Sequence, residues 1–111
     1  WKISGTHINN KSIKSKVHWG HPYISPDEDY IIFASDKENN SFGKNDMFIG
    51  YRDENGSWCD PINLGNKING PKDDMCPMIS PNQQFMFFIK HDKVFNIYWV
   101  NADFVNKLRP F

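Results

Sequence analysis

His21-Pro22-Tyr23-Ile24-Ser25-Pro26-Asp27 and, at an offset of 55, Cys76-Pro77-Met78-Ile79-Ser80-Pro81-Asn82 are two versions of one phrase. The match runs on without a gap through Tyr30-Ile31-Ile32-Phe33 against Phe85-Met86-Phe87-Phe88. It resumes at an offset of 50, where Asn45-Asp46-Met47-Phe48-Ile49 faces Phe95-Asn96-Ile97-Tyr98-Trp99. The difference between the two offsets falls in the polar stretch after the second apolar run. A third echo sets Gly5-Thr6-His7-Ile8-Asn9 against Gly65-Asn66-Lys67-Ile68-Asn69 at an offset of 60. A period of this length marks stacked units, each of which buries its apolar surface against the next.

Within a unit the apolar runs are short and bounded by turn formers, which predicts strands. Tyr23 to Ser25 reads as a first strand, Tyr30 to Ser35 as a second, Met47 to Tyr51 as a third and Trp58 to Leu64 as a fourth. Asp53-Glu54-Asn55-Gly56 joins the last two as a hairpin, its glycine supplying a positive φ. Pro, Gly and Asn interrupt the chain too often for a long helix. Only Ala102 to Leu108 is read as a short closing helix, with a last strand as the alternative. Strands apolar on both faces belong in a sheet covered on both sides. The expected fold is therefore all-β: two four-stranded antiparallel blades of a β-propeller, the C-terminal part of a partial ring. Residues 1–16 read as the tail of a preceding blade and its connector, 17–70 as the first blade, and 71–111 as the second blade with a C-terminal tail. Ile32, Phe33, Phe48, Ile79, Phe87, Phe88 and Trp99 are the expected core.

Composition agrees with a packed domain, since 15% of the chain is aromatic. Thirteen basic and thirteen acidic side chains cancel. That balance leaves no basic stripe of the kind nucleic acid requires, so no nucleic-acid partner is expected. The one lopsided stretch holds Lys2, Lys11, Lys14 and Lys16 without an acid, and is read as a solvated connector. No apolar run is long enough to span a bilayer as a helix. Two cysteines, Cys59 and Cys76, are too few for a disulfide scaffold and are expected to stay unpaired with each other. The chain opens at Trp1 in the middle of the pattern, which reads as a piece of something longer or as a processed protein.

The string P-x-I-S-P-D at residues 22–27, the strand ending in Phe33-Ala34-Ser35-Asp36, the polar loop and then Asn45-Asp46-Met47-Phe48-Ile49 resemble the TolB-like (WD-like) β-propeller repeat family. The stretch from Gly56 to Gly70 looks like the fourth strand and inter-blade connector of the same family. The resemblance covers roughly residues 17 to 101. The second unit departs from it at Asn82 and at Lys90-His91, and its loop after the second strand is clipped. What the resemblance implies is a bacterial, periplasmic or exported binding module that recognises proteins or glycans. The alternative it implies is the propeller portion of a multidomain enzyme such as a serine peptidase, with the catalytic domain elsewhere. Fold alone does not choose between these.

The residues offer little chemistry of their own. His18-Trp19-Gly20-His21 has a His-x-x-His spacing but no further Cys or Glu ligand nearby, and is read as two loop histidines. Asp27, Glu28 and Asp29 with Asp36 and Asp46 lack the spacing of a calcium loop, so they are read as turn caps. No metal, no cofactor and no catalytic residue is assigned. In a four-stranded blade the loop after the second strand and the connector between blades share one face. Long loops on a rigid scaffold form the default binding surface. His18, Trp19, His21, Asp36, Phe42 and Asp46 are accordingly the candidate ligand-binding residues. Because two blades cannot close a ring, neighbouring blades of a longer chain, or further copies of this one, are the expected structural partners.

Overall fold

The computed structural model describes residues 19–35 and 45–111. Among them the chain forms seven strands and one short helix, arranged as two antiparallel meanders. The first sheet has the order β1 (Trp19–Ile24), β2 (Tyr30–Ser35), β3 (Asp46–Tyr51), β4 (Ile62–Asn63). The second has the order β5 (Asp73–Ile79), β6 (Phe85–His91), β7 (Phe95–Asn101), followed by helix α1 (Phe104–Lys107). The all-β reading holds. Four strands in each sheet does not: the second sheet has three among the described residues, and β7 is its edge.

The two sheets repeat one another in backbone detail. His21 and Cys76 both have positive φ immediately before a proline, a conformation that costs a non-glycine residue free energy. Each sits where the register between the first two strands of its sheet shifts by a bulge. Glu28 and Gln83 have positive φ at matching places in the next turn. That turn is held by a serine. In the first sheet the backbone N–H groups of Asp29 and Tyr30 donate to Ser25 Oγ. In the second, Phe85 N–H donates to Ser80 Oγ. Ser25 donates in turn to Asp29, whereas Ser80 donates to Asn82, both at 2.6 Å. Of the acidic set, Asp29 is thus turn chemistry, as its residue type implies, whereas Asp46 is buried in β3 rather than capping a turn and Asp36 lies outside the described residues.

Side chains alternate across a strand, so each sheet has two distinct faces. One face of the first sheet carries Tyr30, Ile32, Met47, Ile49 and Tyr51. It packs on the face of the second sheet that carries Ile79, Met86 and Phe88, with Ala102 and Val105 closing the end. The other face of the first sheet buries Ile31, Phe33 and Phe48 with Trp58 beside them. Both faces of β2 and β3 are therefore covered, which is why their apolar residues do not alternate with polar ones.

Three expectations need correction. The first strand starts at Trp19 rather than Tyr23, because backbone pairing continues through the bulge. The fourth is reduced to Ile62–Asn63 and an isolated bridge between Arg52 and Trp58, since Pro61 lacks the N–H a longer ladder needs. Most instructive are Phe87 and Trp99, expected in the core but 38% and 63% exposed. They lie on the outward face of the second sheet, against which no described element packs. Ile32, Phe33, Phe48, Ile79 and Phe88 are buried as expected. Both cysteines are free thiols, and burial, with Asp53 and Asp60 nearby, pushes the Cys59 thiol up.

Candidate functional site

The loop side of the molecule is assembled at one junction. Asn45, the last residue of the long polar loop, forms a parallel bridge with Asp73, the first residue of β5. Its side-chain amide donates to Asp73 Oδ1 at 2.9 Å, and Asp74 N–H donates to the Asn45 carbonyl at 2.9 Å. The end of the loop and the inter-sheet connector therefore share one face, as the strand order required.

Behind the junction the buried carboxylate of Asp74 is fully engaged. It accepts from Lys90 Nζ at 2.8 Å and from Gly70 N–H at 2.8 Å. The same ammonium donates to the Ile68 carbonyl at 2.6 Å and stands over the rings of Phe88 and Tyr98. A buried charge needs this degree of pairing to be tolerated. In front lies a cleft of about 200 Å³ bordered by Asp73, Lys90, His91, Asp92, Asn96 and Tyr98, with the connector residues 70–72 as its floor. His91 Nδ1 is 3.9 Å from Asp73, and its ring stacks on Phe95 with centroids 4.1 Å apart. Lys72 faces Asp92 across the mouth at 3.9 Å. The cleft combines flat rings, hydrogen-bonding groups and balanced charge.

Of the candidate ligand-binding residues, three fall within the described segments. His21 is exposed, in the bulge of β1. The Trp19 backbone pairs with Ser35, which pairs with Asp46 on its other side, so the three share one row at the loop end of the first sheet. Asp46 itself is fully buried, and its Oδ2 accepts from the Asn63 amide at 3.2 Å. A carboxylate held inside the sheet braces β3 against β4 rather than meeting solvent. His18, Asp36 and Phe42 lie outside the described residues.

Sequence reasoning passed over Lys90, His91, Asn96 and Tyr98. The signal was present: Lys90-His91 is where the second unit departs from Ser35-Asp36 of the first. That departure places a cation and an aromatic base at the cleft. Among the described residues no three His, Cys, Asp or Glu side chains gather as metal ligands would, and no helix is long and apolar enough to cross a membrane. A second cleft of about 220 Å³ lies at the opposite end, between Ser25, Gln83 and Arg109. Compared with known proteins, the chain matches no family profile, no curated protein and no solved structure.

Proposed function

We propose that the chain is a non-enzymatic binding scaffold, built from adjacent propeller-type blades similar to the TolB-like repeat, that recognises a protein or glycan on its loop side. The observation that carries this reading is the junction of Asn45 with Asp73 beside the cleft of His91, Asn96 and Tyr98. It seats hydrogen-bonding groups and rings on the ends of two packed sheets, where a ligand meets little reorganisation cost. Sugars present alternating hydroxyls and apolar ring faces, and extended peptides present amides and side chains. Either matches a cleft of mixed rings and amides better than it matches a purely charged one.

The test is a titration of the isotope-labelled protein with soluble oligosaccharides and with short peptides. Binding should move the backbone signals of Asp73, His91, Asn96 and Tyr98, and His91→Ala with Tyr98→Ala should weaken it at least tenfold. Signals that move only at the opposite end, around Gln83 and Arg109, would remove the loop side from consideration.

A further inference from the structure

The outward face of the second sheet carries Met78, Phe87, Phe95, Ile97 and Trp99, which are 58%, 38%, 66%, 76% and 63% exposed. Cross-strand pairing sets them on one side: Met78 faces Phe87, and Phe87 faces Trp99. Phe85 meets Trp99 edge to face at 5.3 Å, leaving a shallow apolar groove of about 210 Å³ between Phe85, Phe87 and Trp99. The one charged residue in these rows is Asp73, at the loop end of the face, where it pairs with His91; no lysine, arginine or acid stands among Met78, Phe87, Ile97 and Trp99. Charged side chains on exposed sheets ordinarily guard against association, and the centre of this face has none.

The first sheet shows what such a face is for. At offsets of 55 and 50, Phe87 corresponds to Ile32, Trp99 to Ile49 and Ile97 to Met47. All three counterparts have no exposed surface, because a second sheet lies on them. The outward face is therefore the same surface without its cover.

We infer that this face is a dimer interface, covered by the same face of a second copy of the chain. Head-to-tail stacking would need the far face of the first sheet to be open, and Ile31, Phe33 and Phe48 there are already buried. That leaves the outward face to meet itself, which gives a closed two-fold pair rather than a filament. Size and charge permit it. Two such faces bury on the order of 1,000 Å² before any rim is counted, about the least a specific interface needs. The balanced charge of the chain adds no long-range repulsion between copies. Aromatic and methionine side chains with depleted charge are the composition of homodimer cores.

Sedimentation over a hundredfold range of concentration, on the 111-residue chain, tests the inference. A monomer–dimer equilibrium is expected. Ile97→Lys and, separately, Trp99→Glu should weaken dimerisation at least a hundredfold while leaving the circular dichroism of the folded sheets intact. Glu54→Lys, on the exposed hairpin of the first sheet, should leave the equilibrium unchanged. Three results would overturn the inference: a monomer throughout, even one that binds a hydrophobic dye; growth beyond the dimer; or a dimer indifferent to Ile97→Lys.

Discussion

Arg109 and Asp29 lie 80 residues apart in the chain and 3.1 Å apart in space. The guanidinium also stands over the ring of Tyr51, whose hydroxyl donates to the Val105 carbonyl. Three elements meet there: the first turn, the third strand and the segment after α1. The C-terminal stretch is thereby fastened across both sheets rather than trailing from the second.

Acid should loosen this fastening. Partial burial pushes the Asp29 carboxyl up, but the Ser25 hydroxyl and the Arg109 guanidinium outweigh it and hold the group below the ordinary aspartate range. A carboxyl depressed in the folded state stabilises fully above its unfolded pKa of about 4 and loses that contribution as pH falls below it. Melting temperature should drop more steeply between about pH 5 and 2 in the native chain than in Asp29→Asn. Parallel curves for the two would remove Asp29 from the acid response.

Alkali should act on different groups. Burial, with Tyr23 nearby, pushes the Tyr30 phenol up to about 12, and burial does the same for Tyr51 against the opposing influence of Arg109. Raised pKa values mean stability that is intact below about pH 10 and lost as pH climbs towards 12. In a spectrophotometric titration two of the four tyrosines should therefore ionise late or only with unfolding. Ionisation of Tyr30 and Tyr51 near 10 in the folded protein would contradict the packing around both rings.

Two adjacent phenylalanines should respond unequally. Phe88 is buried between the sheets, so Phe88→Ala should cost about 3–5 kcal/mol. Phe87 points outward, and at concentrations where the chain is monomeric Phe87→Ala should cost about 1 kcal/mol or less. Denaturant melts of the two variants, run dilute, give the comparison. Equal losses would mean that the outward face is covered within one chain.

Asn69 is the most constrained polar residue in the connector. It accepts from Met47 N–H at 2.7 Å and donates to the Met47 carbonyl at 3.0 Å and to Asn63 at 2.8 Å. Asn69→Ala leaves the buried Met47 N–H without a partner, at about 1–3 kcal/mol, while the Met47 carbonyl keeps the Leu64 N–H. Asn69→Asp should fare no better, because a carboxylate cannot donate to the Met47 carbonyl. A variant that melts like the native chain would show the clamp to be dispensable.

The repeat made most of this fold legible before any coordinates. Ser25-Pro26 and Ser80-Pro81 located both turns, and Gly56, at φ +82°, located the hairpin. Phe87 and Trp99 were misplaced for a physical reason. A sequence records that a strand is suited to burial on both sides, but not whether the covering sheet is present. The cleft was legible only in part. Asn45 and Asp73 were brought to one face by strand order, whereas Lys90 and His91 stood where the units cease to match and pattern reading loses its grip. Asp46, an acid beside a long loop, read as a surface group because nothing local announces the Asn63 amide that meets it.

The edge that β7 forms among the described residues has a consequence for how the chain must be handled. Among the described residues β7 presents, side by side, backbone donors and acceptors that no further strand takes up and a largely aromatic surface. Specific pairing and disordered precipitation then compete from the same starting material, the second rising more steeply with concentration. Recovery of folded protein becomes a race. Slow synthesis, cool growth and early dilution favour the winner, and a burst of expression favours inclusion bodies.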